Sequence, residues 1–116
     1  MSSLSFNQGD IVVAHILFSE QIGVKKRPAL VISNSEYNKK SDDLVLLKIT
    51  SRGKRTDFDV PLVQSDLADG ILKVESQVMV DNPVTAYKKI IEEKIAAVNQ
   101  NKLEEVKQKI KKLYDL

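Results

Sequence analysis

The chain has 116 residues and a formal net charge of +2; 42% of residues are hydrophobic, 5% are aromatic, and there is no Cys or Trp. This length fits one domain, residues 1–116, whose core must be filled by Val, Ile and Leu. The lack of Cys excludes disulfides, thiolate metal ligands and a Cys nucleophile, and a single histidine, His15, argues against a zinc site. The mild positive charge permits nucleic-acid binding without requiring it. No segment approaches the ~18 consecutive apolar residues of a membrane helix. The opening "MSSLSFNQGD" lacks the charged-then-apolar pattern of a signal peptide. A soluble cytoplasmic protein with no membrane contact and no cofactor is the expectation.

"GDIVVAHILF" (residues 9–18) alternates Ile11, Val13, His15 and Leu17 with Val12, Ala14, Ile16 and Phe18. Both sets are mostly apolar, which predicts a strand covered on both sides. "SEQIGVKK" (19–26) reads as a loop of functional length. "PALVIS" (28–33) is a second strand; Pro28 has no N–H and belongs at its start or at an edge. "NSEYNKKSDD" (34–43) reads as a polar loop and "LVLLKIT" (44–50) as a third, strongly apolar strand. A basic turn, "SRGKRTD" (51–57), leads to the short strand "FDVPL" (58–62), where Pro61 marks an edge or an end. "VQSDLADG" (63–70) suits one helical turn closed by Gly70. Residues 71–81 read as two short strands or one bent at Glu75, with Pro83 breaking the run. "IIEEKIAAV" (90–98) has a helix-like composition, and a strand is the preferred assignment. Leu103, Val106, Ile110, Leu113 and Tyr114 then recur at helical spacing. Asn99 is the natural N-cap, with Val98 stapling onto Leu103; Asn101 with Glu104 is a rival capping box. Six or seven short strands and one amphipathic helix predict a mainly β fold, a small curled barrel rather than a parallel sheet.

Polar residues that end buried strands are the candidates for chemistry, because rigid elements position groups best. Arg27 stands at the entry to the second strand, Thr50 and Ser51 at the exit of the third, and Asp81 ends "SQVMVD". If the second and third strands pair antiparallel, Arg27 and Thr50-Ser51 share one rim. A guanidinium beside two hydroxyls suits a phosphate. Such a set suits RNA, which carries its own nucleophile, the 2′-OH, and needs orientation and charge stabilisation. Arg is a poor base, so proton transfer would need a neighbouring carboxylate or His15. Each feature also has an ordinary reading. An arginine placed like Arg27 is more often a solvated charge, Thr50-Ser51 is an ordinary turn starter, Asp81 can be part of a turn before Asn82-Pro83, and a histidine like His15 is more often a core or interface residue than a catalyst. Lys25 and Lys26, Lys39 and Lys40, and Arg52, Lys54 and Arg55 form three basic clusters in successive loops. They are expected to merge into one patch.

The ordered set Gly9-Asp10-Ile11, Arg27-Pro28 and Thr50-Ser51, continued through "SQVMVDNPVT" and the closing helix, resembles the PemK/MazF family of toxins from bacterial toxin–antitoxin pairs. The resemblance spans nearly the whole chain. It implies an SH3-like barrel with a helix (the CcdB/MazF-like fold), usually homodimeric, neutralised by a cognate antitoxin protein. It implies a metal-independent endoribonuclease that cuts single-stranded RNA, such as mRNA, to a 2′,3′-cyclic phosphate and a 5′-hydroxyl. On this likeness Arg27 is the arginine at the scissile phosphate, Thr50 its hydroxyl partner with Ser51 alongside, and Asp10 the acid near the N-terminus. Asp81 is the acid some members use as a base or a base-reading contact. Lys25, Lys26, Arg52, Lys54 and Arg55 would attract the RNA backbone, and Tyr37 would stack on a base. The chain departs from the family where some members carry an arginine, here Met79. It also departs where some carry a loop histidine, here nearest Ser19 and Glu20. The alternatives are a non-catalytic protein-binding toxin of the CcdB type and an inactive member of the fold.

Overall fold

The computed structural model describes residues 5–16 and 25–116. The elements run β1 (Asp10–Ile16), β2 (Lys25–Val31), α1 (Ser35–Lys40), β3 (Asp43–Thr50), β4 (Asp59–Leu62), β5 (Leu67–Gly70), β6 (Ser76–Tyr87), β7 (Ile91–Val98) and α2 (Gln100–Tyr114). Single 3₁₀ turns precede β5 and β7. The strands form one antiparallel sheet in the order β4-β6-β3-β2-β1-β7-β5, curled into a half-barrel and followed by the C-terminal helix.

Alternation along each strand puts one apolar set on each face. Val12, Ala14, Ala29, Val31, Leu44 and Leu46 form one cluster with Phe6 and Met79. Ile11, Leu30, Leu47, Ile49, Val60 and Val78 form the other, covered by Leu103 and Val106 of α2. β1, read from the sequence as covered on both sides, places Val12 and Ala14 in one cluster and Ile11 in the other, while His15 is exposed and residues 17 and 18 lie outside the described residues. Met79 is a core residue, 3% exposed.

The cap on α2 follows the sequence reading: the Asn99 side chain accepts from the Lys102 backbone N–H at 2.8 Å, which satisfies one orphan donor of the first turn. Asn101 and Glu104 are not the cap. The stretch 34–43 is not a plain loop. Asn34 caps the short helix α1 by accepting from Tyr37 N–H at 2.8 Å. Six residues are fewer than two helical turns, too few to show a period in sequence.

All three prolines lie where a strand has a neighbour on one side in the described ladders. Pro61 is on the edge strand β4. Pro28 pairs with Val13, one residue before the β2–β3 ladder starts at Ala29. Pro83 pairs with Leu47 beyond Met79, where the β4–β6 ladder ends. A missing N–H costs nothing on an open side. Pro28 is therefore inside β2 rather than at its start. Pro83 does not break the run either; β6 continues through it after an irregularity between the Leu47 and Ile49 pairings. Residues 71–75 are not a strand. Gly70 closes β5 rather than a helical turn, and its φ of +90° and the Ile95 carbonyl 2.4 Å from any added Cβ restrict the position to glycine.

Among the described residues, no helix is long and apolar enough to cross a membrane.

Candidate active site

The β2–β3 ladder pairs Ala29 with Lys48, Leu30 with Leu47 and Val31 with Leu46. Two residues back along β2 and two on along β3, the same register sets Arg27 level with Thr50. Both line one cleft of about 620 Å³, together with Lys26, Ser51 and Arg52. The Thr50 hydroxyl oxygen accepts from the Arg52 backbone N–H at 3.2 Å, which tightens the chain's exit from β3.

Apolar residues make up much of the rest of the lining: Val13 of β1, Ile49 of β3, Ile95 of β7, and Ile71, Leu72 and Val74 from the segment before β6, where Lys73 also lines the cleft, with Ser76 at the start of β6. Ile71 is 75% and Val74 57% exposed, so the lip is an apolar surface open to solvent. One carboxylate among the described residues lines the cleft, Glu93. Val13 pairs with Pro28 on one side and Glu93 on the other. Directly paired residues share a face, so Glu93, Val13 and Pro28 form one row across three strands; Arg27 precedes Pro28 in β2 and lines the same cleft. No local signal in the sequence marks Glu93; it depends on a β1–β7 pairing of residues about 80 positions apart.

His15 stands opposite Lys26 on the neighbouring strand. Its Nε2 lies 2.6 Å from Glu92 Oε2, and Lys26 Nζ lies 3.2 Å from Glu92 Oε1. Hydrogen bonding to His15, then to Lys26, holds the Glu92 carboxyl below the ordinary Glu range. His15 is exposed, not a core residue.

Several sequence candidates are elsewhere. Asp10 is 4% exposed and starts β1. Its carboxylate accepts from Asn7 N–H at 2.8 Å and pairs with Lys94 at 3.3 Å. The turn before it runs through Gly9 at φ +99°, so the Gly-Asp pair builds a turn. Tyr37 and Lys40 line a separate hollow beside α1. Because α1 joins the far ends of β2 and β3, Tyr37, Lys39 and Lys40 are at the opposite end of that hairpin from Arg27. Of the three basic clusters, the first and third meet in the cleft through Lys26 and Arg52, and Lys39 and Lys40 stand apart from them. Lys54 is exposed in the stretch between β3 and β4. Ser19 lies outside the described residues; Lys25 opens β2.

Asp81 does not line the cleft. Its Oδ1 accepts from Arg55 Nη2 at 2.6 Å and from Asn82 Nδ2 at 2.9 Å. Arg55 also donates Nη2 to Asp59 Oδ1 at 2.8 Å and Nε to Asp59 Oδ2 at 3.2 Å. The Asp59 side chain is fully buried. Partial burial works to raise the Asp81 pKa, but hydrogen bonds from Asn82 and Arg55, with the Arg55 charge, outweigh it and leave it below the usual Asp range. The bond to Asp59 is the largest influence on Arg55, whose pKa is raised. Among the described residues, no three His, Cys, Asp or Glu side chains cluster as metal ligands.

The chain matches the model of the PemK-like, MazF-like toxin of type II toxin–antitoxin systems over residues 7–114. Among solved structures, it is similar to a MazE–MazF complex from Deinococcus radiodurans at 27% identity and a TM-score of 0.77, over 97% of this chain and 99% of that one. It is similar to MazF from the same organism at 26% identity and a TM-score of 0.76, over 98% and 100%. An endoribonuclease in complex with its cognate antitoxin, from a mycobacterial species, shares the fold at 19% identity and a TM-score of 0.74, over 97% and 95%. A comparison with curated proteins finds no match. With the family match spanning β1 through α2, the chain belongs to the PemK-like, MazF-like toxins of type II toxin–antitoxin systems.

Proposed function

We propose that this protein is the toxin of a type II toxin–antitoxin pair and acts as a metal-independent endoribonuclease on single-stranded RNA, mRNA included. The observation that carries the reading is the meeting of Arg27, Thr50 and Ser51 in one cleft with Lys26 and Arg52. Family membership supports the same class of activity.

The proposed step is an in-line displacement within the RNA. The 2′-oxygen bonds to phosphorus and the P–O5′ bond breaks, giving a 2′,3′-cyclic phosphate and a 5′-hydroxyl. Arg27 stabilises the charge on the phosphorane, and the Thr50 and Ser51 hydroxyls hydrogen-bond the phosphate oxygens. Glu93 is the proposed acceptor of the 2′-OH proton, since it is the one carboxylate among the described residues that lines the cleft. The leaving 5′-oxygen takes its proton from solvent. Lys25, Lys26, Arg52 and Lys54 attract the RNA backbone. A cognate antitoxin belongs to the same reading, supported by the complexes among the similar structures, and so does a homodimeric state.

The test is incubation of the purified protein with a long single-stranded RNA in EDTA, with the ends of any fragments mapped. Fragments ending in cyclic phosphate and 5′-hydroxyl are expected. RNA left intact over a wide range of protein concentration overturns the reading.

A further inference from the structure

Asp81 is the acid that the family likeness offers as a base, yet it faces Arg55 and Asn82 and not the cleft. Between β3 and β4 the chain crosses residues 51–57 without regular structure, all exposed. This crossing starts at Ser51 and carries Arg52, and both line the cleft. Beyond the Thr50–Arg52 bond, its firmest anchor is Arg55. Arg55 is gripped from β4 by the buried Asp59, through its backbone N–H at 2.7 Å and its guanidinium, and from β6 by Asp81. The three residues from Arg52 to Arg55 span at most about 10 Å when extended. Fixing Arg55 therefore limits how far Arg52 can move from the cleft.

We infer that Asp81 is a positioning residue: with Asp59 it clamps Arg55 across β4 and β6, and so holds the crossing that presents Arg52 to the substrate's phosphates. The inference rests on the ribonuclease reading of the cleft. It separates Asp81 from proton transfer.

The experiment compares wild type with Asp81→Asn and Asp81→Glu in RNA cleavage over a range of pH and substrate concentration, alongside hydrogen exchange of residues 51–57. For Asp81→Asn the expected result is a KM raised about two- to fivefold, as for loss of one exposed ion pair. Its kcat and the shape of its pH profile should match wild type, with faster exchange across 51–57; Asp81→Glu should restore both KM and exchange. A kcat lowered by about 10²-fold or more with a lost pH limb, as for removal of a general base, overturns the inference. So does an Asp81→Asn variant identical to wild type in KM and in exchange. Wild type that cuts no RNA removes the ribonuclease reading instead; the exchange comparison still decides whether Asp81 holds the crossing.

Discussion

Arg27 lies level with Thr50 across the open end of the β2–β3 hairpin, two residues past the last pairing that joins the strands there, and both face into the same cleft. A guanidinium and a hydroxyl fixed by two buried strands need no reorganisation to meet a phosphate, and electrostatic groups act best when so preorganised. Arg27→Ala is expected to lower kcat/KM for RNA cleavage by about 10²- to 10³-fold, the range seen when a transition-state donor is removed. The far-ultraviolet circular dichroism should be unchanged. A variant that cuts at the wild-type rate would place the chemistry elsewhere.

Glu93 is exposed on β7, so Glu93→Gln should leave stability within about 0.5 kcal/mol of wild type. As proton acceptor, its loss should reduce kcat by about 10²- to 10⁴-fold with KM little altered. Steady-state kinetics on a short RNA substrate measure both. Unchanged kcat would remove Glu93 from the mechanism.

The two carboxylates that share Arg55 should differ in what they contribute to stability. The Asp59 side chain is fully buried, whereas that of Asp81 is 34% exposed. Arg55→Ala removes the only cation on the buried Asp59 carboxylate among the described residues, leaving it the residue-55 backbone N–H, and is expected to cost about 3–5 kcal/mol. Asp81→Ala breaks only a half-exposed pair and should cost about 0–1 kcal/mol. Urea unfolding followed by circular dichroism would compare them; equal losses would mean that Asp59 is not held by Arg55 in solution.

Acid sensitivity follows from the depressed pKa of Asp81. Its folded-state value lies below the ordinary 3.8, so its contribution is present above that value and is lost as pH falls through the lower, folded one. The stability difference between wild type and Asp81→Asn should therefore be constant from neutral pH to about pH 4 and shrink below it. Unfolding midpoints across that range test this. A difference that grows on acidification would reverse the sign of the Asp81–Arg55 interaction.

What was legible in the sequence was local. Alternating apolar residues marked β1, because a side-chain period of two survives without knowledge of partners; a continuous apolar run marked β3, and β7 was legible only as a preference against a helix-like composition. Asn99 fixed the start of α2, because a cap bonds within three residues of itself. The pairing of Arg27 with Thr50-Ser51 at one rim was also readable, since it needs only that two successive strands form a hairpin. Other features depended on the tertiary structure. α1 is too short to show a period, and β6 runs through Pro83 because its open side asks for no N–H there. Tyr37, Lys39 and Lys40 fall at the wrong end of the hairpin for the cleft because α1 joins the far ends of β2 and β3. Glu93 reaches the cleft, and Asp81 is turned to Arg55, through pairings and ion pairs between residues that are distant along the chain. The sequence by itself determined β1 to β4, the start of β6 and β7 as strands, where the last helix starts and which arginine stands at a strand's entry. The tertiary structure decided which carboxylate lines the cleft with that arginine, because strand register is set by packing between residues far apart and no local pattern encodes it.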